Sequence, residues 1–288
     1  MKPLPLTIVT AVLNEEKQLD DFLSYARQVA QEVIVVIDYR TTDRSKEIAQ
    51  NHAVRVLQDT GSSKGNVFNN KNMGIKLAKQ EWVLVLDADE RLDETLTKEI
   101  HAIVMAKNDN KMNMYMTGFI NFEFGKYFEQ CDQKNKPFIR LFRNGTFTYN
   151  TSSTTEGWGI HKNAVGTSFI FNLPLIRSLA RRKNPKIQTM KGYILHNSHP
   201  TIDVFIEKIN RYSTREAKVK FEHNADPSLL SLVISMLFQP VKEFMYKYIV
   251  WRMYIEGLHG FIASVIYAFY HFLIFAKYFA LVYQSKNR

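Results

Sequence analysis

The chain has 288 residues, 45% hydrophobic and 13% aromatic, which places it among globular proteins able to bury a sizeable core. Its single cysteine, Cys131, excludes an internal disulfide and gives no zinc-binding pattern. The net charge is +10, yet residues 1–176 hold 21 Lys/Arg against 21 Asp/Glu, so the whole excess lies in residues 177–288. No nucleic-acid-binding motif accompanies that charge. An anionic membrane surface suits it better, because the same region is the most apolar.

In chain order, Leu6–Leu13 predicts a buried first strand running into Asn14-Glu15-Glu16. Its acidic end and its role as a strand argue against a signal peptide. Lys17–Ala30 has helical character, and Val33–Ile37 predicts a second strand ending in Asp38 and then Thr41-Thr42-Asp43. Ser45–Asn51 predicts a helix capped by Asp43 or Ser45. Val54–Gln58 predicts a short strand before the turn-rich Thr60-Gly61-Ser62-Ser63-Lys64-Gly65, and Asn72–Lys79 predicts a helix. Val83–Leu86 predicts a strand that delivers Asp87-Ala88-Asp89-Glu90.

Alternating strands and helices predict an α/β fold: a Rossmann-like, mostly parallel central sheet flanked by helices. Ligands of such sheets bind outside the carboxyl ends of the strands, which groups Asn14, Asp38, Asp87 and Asp89 in one crevice. If the extended backbone reaches Asp89, its carboxylate and that of Asp87 face the same side. Such a pair suits Mg²⁺ or Mn²⁺, hard cations that share oxygen ligands with substrate phosphates.

Farther along, Met114–Phe124 and Phe138–Phe142 predict strands, and Asn144-Gly145 predicts a hairpin turn between Phe138–Arg143 and Thr146–Tyr149. The basic Arg177–Lys186 stretch reads as a solvated loop, or as one that meets lipid headgroups or a phosphorylated acceptor. Ile202–Glu222 predicts a polar helix. A boundary near Asp226-Pro227 separates a catalytic domain, 1–226, from apolar, basic-flanked helices in 227–288. Within the first, residues 1–110 form a donor half and 111–226 an acceptor half.

The apolar character begins at Leu229, breaks at Pro240 and resumes from Phe244 to Tyr283. Gly257–Ala276 holds 20 residues without Asp, Glu, Lys or Arg, long enough to cross a bilayer. His259, His271, scattered tyrosines and basic residues at both ends favour helices lying in the membrane interface. A single or re-entrant span and a buried soluble helix pair are the alternatives.

Four ordered motifs now point one way: Asn14-Glu15-Glu16; Asp38-x-x-Thr41-x-Asp43-x-Ser45; Asn72-x-Gly74-x-x-x-Ala78-x-x-Glu81-Trp82; and Leu86-Asp87-Ala88-Asp89-Glu90-Arg91. Lys208-x-x-Arg211-Tyr212-Ser213 adds a late match. With these the chain resembles a family 2 glycosyltransferase of the GT-A fold, in the branch of lipopolysaccharide-core β-glucosyltransferases. The resemblance covers most of the chain.

It implies a metal-dependent, inverting transfer from a nucleotide-sugar donor, a UDP-sugar first among the candidates, to a glycan or lipid-linked acceptor. By the same resemblance Val12, Asn14, Glu15 and Asp38 hold the base and ribose. Asp87, with Ala88 beside it, lies against the ribose and diphosphate, and Asp89 ligates Mg²⁺ or Mn²⁺. Lys64 and Lys71 are either phosphate-facing charges or solvated surface lysines.

Inverting transfer also needs a base for the acceptor hydroxyl. Relatives carry a Gly-x-x-His-Glu element in the acceptor loop, whereas this chain reads Glu156-Gly157-Trp158-Gly159-Ile160-His161-Lys162-Asn163. Lys162 stands where the family has its carboxylate, so Glu156, the nearest one, and His161 become the catalytic candidates. Trp158 is a candidate for stacking on an acceptor sugar. His196 or His199 is a candidate for closing the site, or both are structural. Two further readings stay open: a polyprenyl-phosphate acceptor, which needs no base, and a catalytically impaired donor-binding scaffold. The expected location is the cytoplasmic face of the inner membrane, peripheral or monotopic, against anionic lipid.

Overall fold

The computed structural model describes residues 2–106, 112–135, 137–150 and 187–287. They fall into two compact units: 1–118 with 137–195, and 119–136 with 196–288. The sequence-based boundary at 226 assigns residues 202–223 to the catalytic domain, whereas contacts group them with the apolar helices.

The first unit opens with β1 (Leu4–Val12), α1 (Glu16–Val29), β2 (Ala30–Ile37), α2 (Ser45–Asn51), β3 (Arg55–Gln58), α3 (Val67–Lys76) and β4 (Trp82–Val85). The short β5 (Glu90–Leu92) and α4 (Glu94–Met105) follow, then β6 (Met114–Glu123), β8 (Phe138–Arg143) and β9 (Ile187–His199); β6 and β9 each run on into the residues of the second unit, where β7 (Lys126–Tyr127) pairs with the end of β6. The sheet order is β3-β2-β1-β4-β8-β6-β9-β5. β3, β2, β1 and β4 are mutually parallel, and β8 runs antiparallel to both β4 and β6, so the sheet is mixed.

β1, β2 and β4 are buried on both faces: Ile8, Val9, Ile34, Val35, Val83 and Leu84 have no exposed surface. That burial explains why these strands read as continuous apolar runs. α1 turns Leu19, Phe22, Leu23 and Ala26 inward at helical spacing. α3 lies so close to the sheet that a Cβ on Gly74 would meet Val9 Cγ1 at 2.5 Å and Val36 Cγ2 at 3.2 Å. Gly192 of β9 is tighter still, with the Leu96 backbone nitrogen of α4 only 2.1 Å from its would-be Cβ.

Two expectations in this unit change. α3 starts five residues before Asn72, at Val67, because the Asn66 side chain accepts from the Phe68 amide at 2.9 Å and caps it. The turn at Asn144-Gly145 forms, with Gly145 at φ 80°, but Thr146–Tyr149 is not a strand. Both edges of β8 are already paired, to β4 and to β6, so no edge remains for a hairpin partner. The segment instead buries Phe147 and Tyr149 in the core beneath α3.

The second unit contains α5 (Ile202–His223), α6 (Leu229–Met245), a π-helical turn (Tyr246–Val250), a 3₁₀ turn (Met253–Glu256) and α7 (Leu258–Lys286). Phe128 and Cys131 pack here with Phe205, Ile209, Trp251, Met253, Ala263 and Ile266. The buried Glu256 carboxylate ties this core together, pairing with Lys126 Nζ at 2.8 Å and accepting from the Gln130 and Cys131 amides at 2.7 and 3.0 Å. The apolar character of the sequence lapses at Pro240, but the helix runs on through it. α6 carries it internally, and the turn comes at 251–257, where Arg252 and Gly257 take φ of 57° and 68°. The outer face of α6 leaves Leu230, Val233, Ile234, Leu237, Phe238 and Val241 exposed.

Gly74→Ala is expected to cost about 1–3 kcal/mol, the usual penalty of overpacking, since Val9 and Val36 have limited room to retreat. Gly192→Ala should cost more, because backbone rather than a side-chain tip stands in the way. Urea midpoints at constant m-value check both the sign and the order.

Candidate active site

The strand order reverses at β1: the chain steps outward to β2 and β3, then returns to place β4 on the other side. This is the topological switch where open α/β sheets bind ligands. The carboxyl ends of β1, β2 and β4 carry Val12, Asp38 and Asp87, in that spatial neighbourhood by strand pairing.

The loops after β1 and β2 are laced together. The exposed Asn14, at φ 58°, accepts from the Thr42 amide at 2.8 Å, and the Glu15 amide donates to Ser45 Oγ at 2.8 Å. Asp43 accepts from the Glu16 amide and from the Ser45 amide, each at 2.9 Å, so one carboxylate caps the starts of both α1 and α2. Burial pushes the Asp43 pKa up, but these hydrogen bonds outweigh it and hold the group below its ordinary value.

Asp38 is 2% exposed. The Arg40 guanidinium forks onto it, Nε to Oδ1 at 2.9 Å and Nη2 to Oδ2 at 3.0 Å, and Asn70 Nδ2 donates to Oδ2 at 2.9 Å. Burial again raises the pKa, and the bonds from Arg40 and Asn70 bring it below the ordinary carboxylate range. Nearby, Asp59 at the end of β3 organises the following turn by accepting from the amides of Gly61 and Ser63 and from both serine hydroxyls, Ser62 and Ser63.

The third group is a charge network around Asp87. β4 ends at Val85, and 87–90 is a turn closed by the Glu90 amide donating to Asp87 O at 3.0 Å. The extension therefore stops short of Asp89, and it is this turn that sets the two carboxylates. Lys71, 4% exposed, reaches the Asp87 carboxylate at 2.7 and 2.9 Å and lies over the Phe68 and Tyr149 rings at 6.0 and 5.9 Å. Its surface alternative is thus overturned, whereas Lys64 is exposed. Arg140 on β8 pairs with Glu90 at 2.7 Å and approaches Asp87 at 4.0 Å, and Glu90 also accepts from the Asp87 amide at 2.8 Å.

Burial alone would lift the Asp87 pKa, but Lys71 first and Arg140 second hold it below the usual range, with Asp89 opposing them. Arg140 is pulled the other way by burial, yet Glu90, Asp87 and Asp89 raise its pKa and fix its charge. Tyr149, buried beside them, has its pKa raised by burial. Arg91 braces the turn, donating to the Ala88 and Glu90 carbonyls at 3.0 and 2.8 Å while lying over Phe22 and Tyr25. Ala88 is buried at the turn's centre.

Glu156, Trp158, His161 and Lys162 lie outside the described residues, as does Arg177–Lys186. His196 belongs to the second unit, where its Nδ1 lies 2.9 Å from Asn121 Oδ1 and 3.1 Å from Ser198 Oγ. His199 is held by Glu123 at 2.6 Å and stacks on Phe205. Among the described residues no three His, Cys, Asp or Glu side chains group to hold a metal.

The family model of glycosyl transferase family 2 matches residues 7–167, more than half of the chain and all of these strand ends. The chain belongs to that family. It is 27% identical to an uncharacterised glycosyltransferase of Rickettsia typhi, over 100% of this chain and 90% of the relative. It is 25% identical to the lipopolysaccharide core biosynthesis glycosyltransferase LpsC of Rhizobium meliloti, over 95% and 92%. Among solved structures, residues 1–349 of S. aureus TarS in complex with UDP match with a TM-score of 0.43 and 12% identity, over 98% of this chain and 91% of that one.

Sequence reasoning missed four members of this candidate site. Arg140 was visible as a lone charge in the apolar Phe138–Phe142 run, and Glu90 stood in the quoted motif without a role. Asn70 and Asp59 carried no separate signal, being ordinary polar residues in turn-rich sequence.

Glu90→Gln would leave Arg140 buried without its nearest counter-charge and is expected to cost about 3 kcal/mol, measured as a shift of the denaturant midpoint. For Asp87, a lowered folded-state pKa means stability present above the ordinary carboxylate range and lost as pH falls through the lowered value. The advantage of wild type over Asp87→Asn should hold from about pH 7 to 5 and shrink below about pH 4, as read from unfolding curves across that range.

Proposed function

We propose that the enzyme transfers a sugar, with inversion, from a UDP-sugar to a lipopolysaccharide-core or other lipid-linked glycan. The observation that carries this reading is the charge network at the switch point: Asp87 held ionised by Lys71 and Arg140, in the same turn as Asp89. On this reading Val12, Asn14, Glu15 and Asp38 hold the base and ribose, Lys71, Asp87 and Ala88 flank the ribose and diphosphate, and Asp89 ligates Mg²⁺ or Mn²⁺.

The residues present fit such a cation. Their donors are carboxylate oxygens, and two cations, Lys71 and Arg140, face three carboxyl groups, Asp87, Asp89 and Glu90. One acidic group in excess suits a hard ion that takes one or two protein carboxylates and completes its shell with phosphate and water. When bound, the ion supplies positive charge against the departing nucleoside diphosphate. The chain's own part is to fix Asp87 and Asp89 through the Arg91-braced turn and to exclude water with Tyr149 and Phe68. Glu156 or His161 takes the acceptor proton, and Trp158 serves the acceptor side.

The acceptor class draws on the similarity to LpsC, named for lipopolysaccharide core biosynthesis. The membrane reading draws on the second unit. Residues 229–250 and 258–286 are each long and apolar enough to cross a bilayer, and α6 and α7 expose large side chains such as Phe238, Phe261, Phe269 and Phe272. An exposed apolar face this long, in a unit that also exposes Lys242, Arg252 and Lys286, suits the interface of an anionic cytoplasmic leaflet.

With Mg²⁺ or Mn²⁺ and a membrane lipid extract as acceptor, the purified protein is expected to release UDP from one UDP-sugar, and Asp89→Ala to abolish release. Metal-independent release, or full activity in Asp89→Ala, would sink the metal assignment. Flotation with vesicles should show binding to anionic but not to neutral lipid, weakening as salt rises.

A further inference from the structure

α7 has two apolar sides, and they meet different surroundings. Leu258, Phe261, Val265, Phe269, Phe272 and Phe279 recur at helical spacing along one side, and all are exposed. The opposite side carries Ala263, Ile266, Ile274, Tyr278 and Val282, all buried. Phe261 also packs edge-on against Phe244 and Tyr248, so the exposed stripe adjoins α6 and the turn after it.

What covers the buried side is α5. Phe205 and Ile209 share a core with Ala263 and Ile266, and Ala217 lies in another with Tyr278 and Val282. Polar ties fasten the same two helices. Tyr270 Oη donates to Glu216 Oε1 at 2.6 Å, and Tyr278 Oη donates to the carbonyl of Asn224, just past α5, at 2.5 Å. Lys277 is the only Asp, Glu, Lys or Arg between Leu258 and Ser285, and it too turns to α5. Its Nζ donates to Asn210 O and Oδ1, each at 2.7 Å, and to Ser213 Oγ and Thr214 Oγ1, each at 2.8 Å. α5 is therefore packed along α7 from Ala263 to Val282, about 28 Å of helix, close to the thickness of a bilayer's hydrocarbon core.

α5 itself is unsuited to hydrocarbon. Its 22 residues include nine Asp, Glu, Lys or Arg, and Glu207, Arg211, Glu216, Lys218 and Glu222 are exposed. Charged side chains are costly at the bilayer centre, where no water solvates them. Were α7 to cross, it would draw α5 across with it or break the ties at Lys277. α6 is bound by the same constraint: it joins α5 to α7, two helices packed together, so it begins and ends on one side.

We infer that the second unit enters one leaflet only. α7 lies along the membrane surface with its exposed stripe among the acyl chains and α5 on the water side, and neither α6 nor α7 crosses. This rests on the membrane reading given above and decides how that membrane is met. The length and composition that would let both helices span serve instead to cover a long strip of one leaflet.

The test is cysteine labelling of the full chain in membranes of a bacterial host, as intact spheroplasts and as inverted inner-membrane vesicles, with a membrane-impermeant maleimide. Cys131 is buried, so wild type gives the background. Arg252→Cys in the turn, Asn287→Cys after α7 and Lys218→Cys on α5 are expected to react in inverted vesicles and not in spheroplasts. Phe272→Cys is expected to lose the reaction in both. Labelling of Arg252→Cys and Asn287→Cys from opposite sides would mean a span and overturn the inference. So would protection of Arg252→Cys in both preparations, the mark of a re-entrant loop, or reaction of Phe272→Cys as fast as Lys218→Cys. Recovery of the chain in the soluble fraction, as a monomer or with a second copy over the stripe, would instead overturn the membrane reading beneath it.

Discussion

Four segments of the first unit meet at a single pair of ion pairs. Lys71 comes from α3, Asp87 from the turn after β4, Glu90 from β5 and Arg140 from β8. Removing charges from water is costly, and their mutual attraction offsets that cost only when geometry is good and the remaining lone pairs are satisfied. Here the Asp87 amide and the Arg140 side chain share the two oxygens of Glu90, and Lys71 spans both oxygens of Asp87. An apolar core of the same volume would hold the fold as well. What it would not do is keep a carboxylate charged at the sheet's switch point.

The same logic of shared partners extends to the loops. One carboxylate, Asp43, serves two helix starts, and one asparagine, Asn72, takes both the amide and the carbonyl of Tyr149. Each such group links segments distant in sequence without adding an element. The loops that face a ligand are thereby set by hydrogen bonds to the scaffold rather than by their own length, which reduces the ordering cost at binding.

How much of this was legible depends on what each side chain packs against. β1, β2 and β4 were plain because their residues are buried on both faces and so form unbroken apolar runs. The start of α3 was hidden because Asn69, Asn70 and Lys71 direct polar atoms to Ser63, Asp38 and Asp87, giving no apolar period to follow. The hairpin after Arg143 failed as an expectation because pairing is decided by free edges, which local turn chemistry does not report. The motif residues at the strand ends were found, and their mutual partners were not, since partnership across 50 residues, as between Glu90 and Arg140, leaves no trace in spacing.

Residues 119–136 leave the first unit's sequence early and find their partners late. Phe128 and Cys131 pack on side chains from α5 and α7, and the Gln130 amide bonds to Glu256, 126 residues farther on. During synthesis this segment therefore emerges well before anything that can cover it, and it stays unburied until the C-terminal helices are made. A ribosome stalled before Glu256, or a gene shortened there, would release a chain whose first unit has its own core but whose inserted segment exposes Phe128 and Cys131. Such a chain is a natural client for chaperones, and its quality control begins at the interior of the sequence rather than at its end.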